Sequence, residues 1–355
     1  MKEVWKYKAL GECCDILDAK RKPIKKDKRE NGPIPYYGAT GLLDYVKDYI
    51  FDETLVLLGE DGAKWGAGET SAYEISGKAW VNNHAHVLRP NKNELINAWL
   101  IYYLNYSNLM PYINGVTVPK LNQQRMSSIN IPLPPLREQE CIVDYLDATF
   151  AKIDALARNA EDSLNQAKAL FQAALTKMME PKPGWQQKKL VEELALKSGE
   201  NLPSKKYKGG SIPVYGGNGI AGYHNEGNLE GENIIIGRVG ALCGNVHLTN
   251  GNIWVTDNAF IATGISSKTW NKKFLMYELK SIDLNQYATK AIQPVISNKS
   301  LREICLYKPS LDTQIMISNI LAKINYDITC LSSNLTRTLS ECAALKQSIL
   351  RKTFE

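Results

Sequence analysis

The stretch PPLREQECIVDYLDATFAKIDALARN, residues 134 to 159, lies near the middle of the 355-residue chain and decides its architecture. Two prolines mark the start of a helix, because proline is not tolerated in a helix interior. Apolar side chains then recur at spacings of three and four, as in an amphipathic helix. No turn signal follows until Pro181, so the pattern predicts a helix of about forty residues, a rod of ~60 Å. A similar stripe occupies KPSLDTQIMISNILAKINYDITCLSS, residues 308 to 333. An apolar stripe must be buried, so we expect the two helices to pack on each other.

The second half of the chain repeats the first at an offset of 174 to 180 residues. IPYYGATG (34 to 41) matches IPVYGGNG (212 to 219), and LLGEDG (57 to 62) matches IIGRVG (235 to 240). In each half, short apolar runs and Gly, Asn and Asp turns precede the long helix. The pattern predicts an α/β (α+β) fold: two similar domains separated by a long antiparallel two-helix coiled coil, related by a pseudo-two-fold internal repeat. The expected boundaries are 1–134, 135–180 for the central helix, 181–309, and 310–355 for the C-terminal helix.

The composition indicates an ordinary folded protein, with 44% hydrophobic and 23% charged residues. No stretch has the ~18 uncharged apolar residues of a membrane span and no apolar leader is present, so we expect a cytoplasmic protein. The seven cysteines include no CxxC pair, which favours reduced thiols. A net charge of +6 permits a nucleic-acid partner, and seven of the ten residues from Lys20 to Arg29 are basic.

The sequence contains fragments of catalytic and cofactor-binding motifs, but their surroundings do not fit such sites. GNGIAG (217 to 222) satisfies GxGxxG, but a turn-rich stretch follows where a dinucleotide site needs a helix. His84 and His86 align with Asn258 and Phe260 of the repeat, so packed or hydrogen-bonded histidines are expected instead of metal ligands. No phosphate-binding loop and no Asn-Pro-Pro-aromatic motif is present. The sequence therefore predicts a non-catalytic chain that binds no cofactor and no metal itself.

Polar and basic side chains recur just before each long helix, in VPKLNQQRMSSI (118 to 129) and PVISNKSLREI (294 to 304). Asn and Gln can pair with adenine and Arg with guanine, whereas Lys most often contacts phosphate. Together with two basic runs and two turn residues, they form the predicted DNA-binding set: Lys20, Arg21, Lys22, Lys25, Lys26, Lys120, Asn122, Gln123, Gln124, Arg125, Lys205, Lys206, Asn218, Arg238, Ser297, Asn298, Lys299 and Arg302. The predicted spacer and partner interface on the helices comprises Leu136, Gln139, Ile142, Leu146, Ile153, Leu164, Leu311, Gln314, Ile317, Leu321, Ile328 and Leu339.

The segments INIPLPPLREQECIVDYLDATFAKIDAL and ICLYKPSLDTQIMISNILAKINYDI, with IPYYGATG and IIIGRVGA before them, resemble the specificity (S) subunit of type I restriction-modification systems. The resemblance covers essentially the whole chain. Its most specific element is the Pro-Pro-Leu-x-Glu-Gln sequence at residues 134 to 139, and the second copy keeps only Pro309, Leu311 and Gln314 of it.

The resemblance implies two target-recognition domains, each of which reads one half of a bipartite site in double-stranded DNA. It also implies a helical spacer that sets the gap between half-sites and docks two methyltransferase (modification) subunits. Those subunits would bind S-adenosylmethionine and methylate adenine N6, and two restriction (motor-nuclease) subunits would use ATP and Mg. Two alternatives remain open at this point: a DNA methyltransferase or nuclease with an unrecognised active site, and a coiled-coil scaffold for protein interactions.

Overall fold

The structure is a computed structural model that describes residues 5–115, 117–289 and 291–355. It divides into two compact units, of which unit 1 comprises Met1–Glu161 and Thr336–Glu355, and unit 2 comprises Asp162–Leu335. Two helices of 44 residues, Leu136–Met179 and Leu311–Phe354, lie one residue inside each predicted boundary. The units divide both helices, so each unit contains half of each helix and the helices form no separate domain.

Unit 1 contains two four-stranded sheets and a short two-stranded one, with strand orders β2-β9-β6-β7, β4-β3-β8-β5 and β1-β10. Its strands are β1 Lys6–Ala9, β2 Cys14–Ile16, β3 Ile34–Gly38, β4 Gly41–Val46, β5 Phe51–Asp52, β6 Leu55–Gly59, β7 Ala72–Ile75, β8 Lys78–Val81, β9 Ala85–Pro90 and β10 Asn130–Leu133. Its helices are α1 Leu10–Cys13, α2 Asn97–Tyr106, α3 Gln123–Ser127 and the first half of α4 Leu136–Met179.

Unit 2 repeats this arrangement with strand orders β12-β18-β15-β16, β14-β13-β17 and β11-β19. Its strands are β11 Gln186–Lys189, β12 Ala195–Ser198, β13 Ile212–Gly216, β14 Gly219–His224, β15 Asn233–Gly237, β16 Val246–Thr249, β17 Trp254–Val255, β18 Ala259–Thr263 and β19 Cys305–Lys308. Its helices are α5 Leu190–Glu193, α6 Lys272–Ser281 and the first half of α7 Leu311–Phe354.

The central strand β6 of the sheet β2-β9-β6-β7 is apolar along its whole length because both of its faces are covered. Successive side chains of a strand point to opposite faces. Val56 and Leu58 of β6 therefore join the core that contains Trp99 of α2, while Leu55 and Leu57 join a second core toward the sheet β4-β3-β8-β5. In unit 2, β15 divides its isoleucines between two cores in the same way.

Within each unit, the two half-helices pack on each other and on the α/β core. In unit 1, the ammonium group of Lys346 on α7 pairs with Asp154 of α4 and lies 5.2 Å from the centroid of the Phe150 ring. In unit 2, Leu175 of α4 shares one core with Ile317 and Leu321 of α7. The predicted pairing of the helices is thus confirmed in each unit, with the addition that both helices also cover the module's own sheet and short helix.

A buried glutamine fixes the start of each long helix. The side chain of Gln139 accepts a hydrogen bond from the Ile96 N–H (3.0 Å) and donates to the carbonyls of Glu94 (2.7 Å) and Pro134 (2.9 Å). Gln314 makes the equivalent bonds in unit 2, to Asn271 N–H and to the carbonyls of Thr269 and Pro309. Among the described residues, no helix has both the length and the apolar character that a membrane crossing requires.

Candidate nucleic-acid interface

In both units, the polar loop that precedes the long helix is hydrogen-bonded to the turn after the central strand. In unit 1, the Leu121 N–H donates to the Glu60 carbonyl (2.8 Å), and in unit 2 the Ile296 N–H donates to the Arg238 carbonyl (2.8 Å). The two copies therefore place the same two segments side by side. We call this surface the loop face. In unit 1 it comprises residues 59–62 and 118–125, and in unit 2 it comprises residues 237–240 and 294–299.

The loop face of unit 1 rests on a network of buried charges around Glu60. The Glu60 side chain pairs with Arg21 and, at 2.8 Å, with the ammonium group of Lys120. Arg21 also donates to the Ala85 carbonyl (2.8 Å) and lies 3.3 Å from a carboxylate oxygen of Asp18. Two carboxylates and two cations thus neutralise one another, as the burial of both carboxylates and of Arg21 requires.

The pKa values of both carboxyls are lowered, which favours the ionised forms. Burial by itself raises the pKa of Glu60, but hydrogen bonds from Lys120 and Arg21 outweigh it, so this pKa lies below its ordinary value. Burial likewise raises the pKa of Asp18, and hydrogen bonds from His86 and the Val87 N–H reverse the direction. The network therefore holds Lys120 at the surface against a fixed negative charge.

The two histidines of the HAH motif serve as hydrogen-bonding groups, as the sequence predicted. His86 is fully buried, and its ring nitrogens lie 2.6 Å from Asp18 Oδ2 and 2.7 Å from the Leu121 carbonyl. His84 bonds to Asp61 through Nδ1. Among the described residues, Asp18, Glu60 and His86 lie close enough to bind one metal ion, but two cationic side chains already pair with these carboxylates. The geometry fits an ion-pair network better than a metal centre.

Unit 2 has a different chemistry at the same place. Arg238 stands where unit 1 has Glu60, and its Nη1 lies 3.3 Å from Ser198 Oγ and 3.4 Å from the Asp257 carbonyl. Its guanidinium carbon lies 5.3 Å from the centroid of the Phe260 ring, and its buried Nε has no hydrogen-bond partner in the described chain. The repeat thus replaces a buried acid by a half-buried base without changing the backbone bonds.

The predicted DNA-binding residues of unit 1 are mostly, but not all, available at the surface. Arg21 is a correction, because its side chain is only 12% exposed and is engaged by Asp18 and Glu60. Asn122 is a partial correction, because its side-chain oxygen accepts a hydrogen bond from the Arg125 N–H (2.9 Å) and caps α3. Lys120 remains about half-exposed despite its ion pair. The exposed members are Lys20, Lys22, Lys25, Lys26, Gln123, Gln124 and Arg125.

In unit 2, the predicted residues other than Arg238 are exposed, namely Lys205, Lys206, Asn218, Ser297, Asn298, Lys299 and Arg302. Some of them also shape the loops. Ser297 Oγ accepts a hydrogen bond from the Ser300 N–H (3.2 Å), and Asn298 Nδ2 donates to the Leu196 carbonyl (3.2 Å). Lys299 and Arg302 are therefore the cations that the loop before α7 presents to solvent.

The predicted spacer and partner interface on the helices is largely covered within the two units. Six of its residues are buried inside their own unit, because the apolar stripe packs on the module's core: Gln139, Leu146, Ile153, Gln314, Ile317 and Leu321. Leu136, Ile142, Leu164, Leu311, Ile328 and Leu339 are half-buried. The helices instead expose large apolar side chains at positions that repeat with an offset of 175 residues. Unit 1 exposes Tyr145, Leu156 and Leu345, and unit 2 exposes Ile320, Leu331 and Leu170.

Comparison with known proteins identifies the class to which this fold belongs. The family model of the type I restriction modification DNA specificity domain matches residues 2–166 and 182–339, one match in each half of the chain. Because the matches cover most of its length, the chain belongs to this family. The expected resemblance is thus confirmed, and so are the internal repeat and the fold class.

Individual relatives agree with this assignment. The Haemophilus influenzae protein S.HindORF215P is 39% identical over 145 residues, which are 41% of this chain and 37% of that protein. The EcoprrI specificity subunit of a type I restriction enzyme from Escherichia coli is 34% identical over 171 residues, 47% of this chain and 40% of that protein. The chain therefore spans less than half the length of these curated relatives.

Solved structures extend the similarity of fold over the whole chain. A chain from a structure described for complex assembly and conformational transition of the type I R-M system gives a TM-score of 0.74 at 17% identity, covering 100% of this chain and 98% of that one. The HsdS subunit from Thermoanaerobacter tengcongensis gives 0.52 at 18% identity, with 100% and 97% covered. At these identities the similarity shows the fold alone.

Proposed function

We propose that this chain is the DNA-specificity subunit of a type I restriction-modification complex in the cytoplasm, in which each unit reads one half of a bipartite site. The observation that carries the proposal is the loop face, which occurs in both units with the same backbone bonds and with different side chains. The shared backbone arrangement suits docking on the regular DNA backbone, whereas the different side chains suit the reading of two different half-sites. Family membership supports this function over the methyltransferase, nuclease and scaffold alternatives.

The side chains exposed on the loop face and beside it have the chemistry that DNA recognition needs. Gln123 and Gln124 offer the paired donor and acceptor that match an adenine edge, and Arg302 offers the fork that matches guanine. The lysine runs at Lys25 and Lys205 suit phosphate contacts, which position a protein on the duplex without reading its sequence.

The exposed apolar positions on α4 and α7 support docking of two modification subunits. Each unit exposes three large apolar side chains at equivalent positions, between 42% and 63% exposed, so two copies of one partner would meet similar surfaces. Leu156 and Leu331 are one such equivalent pair. In this proposal the helices also set the gap between the half-sites, and methylation with S-adenosylmethionine and cleavage with ATP and Mg²⁺ belong to the partner subunits.

The proposal is tested by co-expressing the chain with its modification subunit and mapping adenine methylation across a host genome. A bipartite methylated site should appear only when both proteins are present. Changing Gln124 to Ala should relax or abolish reading of one half-site, at a cost of about 1 to 3 kcal/mol for a lost bidentate contact. The matched control is Gln187→Ala, an exposed glutamine on β11 of unit 2, which should leave the methylated site unchanged.

Two results would contradict the proposal. One is methylation by the purified chain alone, which would place the active site on this chain. The other is equal loss at both half-sites in the Gln124 variant, which would exclude one reader per unit.

A further inference from the structure

The hairpins formed by β3–β4 and β13–β14 expose apolar side chains at the same positions in both units. Leu42 pairs with Tyr37 and Ile220 pairs with Tyr215, and in each hairpin a register shift lies next to this pair. Leu42 is 48% exposed and Ile220 is 53% exposed. Tyr45 and Tyr223, three residues further along each hairpin, are about half-exposed as well. Because large apolar groups cost free energy in water, their recurrence on two diverged hairpins indicates a shared function.

The tip of each hairpin lies against the loop face. An ideal Cβ on Gly237, the residue before Arg238, would lie 2.0 Å from the carbonyl oxygen of Gly217, so only glycine allows this approach. In unit 1 the equivalent atom on Gly59, the residue before Glu60, would lie 3.0 Å from the carbonyl oxygen of Ala39. The tip of each hairpin therefore lies beside the segment of the loop face that contains Glu60 in unit 1 and Arg238 in unit 2.

The basic segments pack on the same hairpins. In unit 1, the guanidinium carbon of Arg29 lies 4.3 Å from the centroid of the Tyr36 ring of β3, and Arg29 pairs with Asp44 of β4 at 2.9 Å. In unit 2, the Lys208 N–H donates to His224 Nδ1 of β14 (3.2 Å). Both basic segments, residues 20–29 in unit 1 and 204–208 in unit 2, are thus anchored on the hairpin that exposes the apolar side chains. Cations close to an exposed apolar ribbon are the combination that a groove with phosphate edges would bind.

From these contacts we infer that each hairpin enters the major groove of its half-site and that Leu42 and Ile220 pack against the 5-methyl group of a thymine. This inference rests on the proposed function and names a contact within it. The major groove, about 12 Å wide, admits a two-stranded β-ribbon and displays the thymine methyl group, while its edges carry the phosphates. A protein partner would account for the apolar residues but not for the lysines that border them in both units.

The experiment uses the complex of the chain with its modification subunit and oligonucleotides that contain its mapped site. Each thymine of one half-site is replaced in turn by deoxyuridine, which lacks only the methyl group, and affinity is measured for the native chain and for Leu42→Ala. At one position, loss of the methyl group should weaken binding by the native chain about fourfold, the equivalent of one buried CH₂. The Leu42→Ala chain should already be weakened and should be insensitive to that replacement.

Ile220→Ala should likewise weaken binding and remove the sensitivity to deoxyuridine at one position of the other half-site. The slope of affinity against salt should not change in either variant, because no phosphate contact is lost. Val191→Ala is the matched control, since this residue is 52% exposed on α5 and lies outside both hairpins. The Val191→Ala chain should respond to every deoxyuridine replacement as the native chain does.

The possible failures can be told apart. Additive effects of Leu42→Ala and every deoxyuridine would overturn the inference while leaving the proposed function intact, provided that the native complex still binds its site specifically. Reduced co-purification of the modification subunit without coupling to DNA would overturn it in favour of a protein contact. Absence of sequence-specific binding by the native complex would overturn the proposed function itself.

Discussion

We expect the buried carboxyl of Glu278 to contribute a pH dependence to the stability of unit 2. Glu278 of α6 is 1% exposed, its Oε1 accepts a hydrogen bond from the Tyr307 N–H (2.8 Å), and its Oε2 has no partner in the described chain. Burial raises the pKa of this carboxyl from 4.5 to about 7. We therefore expect Glu278→Gln, which removes the titrating proton and keeps an acceptor for Tyr307, to abolish a pH dependence of the native chain.

The direction and size of the effect follow from the two pKa values. The folded chain binds this proton more tightly than the unfolded chain, so the folded state is favoured below the unfolded pKa of 4.5 and loses stability as the pH rises toward about 7. The difference between the two values corresponds to about 3 kcal/mol at ~1.36 kcal/mol per pKa unit, and about 2.5 kcal/mol of it falls between pH 5 and pH 8.5. Above pH 8.5 the penalty is constant.

The assay compares the free energy of unfolding of the native and Glu278→Gln chains in urea at pH 5 and pH 8.5, with hydrogen exchange of the Tyr307 amide reporting on unit 2. The variant should gain about 2.5 kcal/mol more at pH 8.5 than at pH 5. The unpaired amide NH₂ of the new glutamine destabilises the variant equally at both pH values, so this cost cancels in the difference. Glu303→Gln is the control, because that exposed carboxylate pairs with Lys189 in solvent and its removal should have nearly the same small effect at both pH values. An equal gain at both pH values, or a larger one at pH 5, would refute the reasoning.

Three further predictions concern the helices. Gln139→Ala and Gln314→Ala should each destabilise their own unit by about 1 to 3 kcal/mol, because a part-buried backbone N–H and two carbonyls lose a hydrogen-bond partner. Hydrogen exchange that becomes faster in both units equally would contradict this. Phe354→Ala should lower the free energy of unfolding of unit 1 in urea by about 3 to 5 kcal/mol, because the Phe354 ring packs 5.0 Å from the ring of Trp99. A loss below about 1 kcal/mol would argue against that aromatic cluster. Inserting four residues after Ala160 adds about 6 Å to α4 and should alter the tolerated gap between half-sites while leaving both half-site sequences unchanged in methylome maps.

The boundaries of the long helices could be predicted from the sequence because local chemistry sets them. Proline cannot continue a helix, and the start signal occurs twice at a constant offset, so each copy supports the other. The environment of the apolar positions was harder to predict. Leu156, Leu331 and Leu345 fit the helical period but are exposed, whereas the polar Gln139 is fully buried. Periodicity identifies residues that share a face, but which part of the face is covered depends on the fold of the module.

The charge network of unit 1 could not be predicted from the basic run alone. Arg21 lies among lysines in the sequence, and its burial depends on Asp18 and on Glu60, which lies about forty residues further along. Strand pairing of β2 with β9 and of β9 with β6 brings these residues together. One local signal was available, since a glutamate directly after a fully buried strand must either pair with a cation or bind a proton.

The comparison of the two units explains how one scaffold can carry two specificities. The loop before each long helix is fixed by backbone bonds to residue 60 or 238, and backbone bonds do not depend on side-chain identity. The side chain at that position can therefore change from acid to base without moving the loop. Its neighbours change with it, from the buried His86 to the buried Phe260 and from the buried Asp18 to the exposed Ser198. The charge network therefore changes as a set between the two units, because a single reversal at Glu60 would place Arg21 beside another cation.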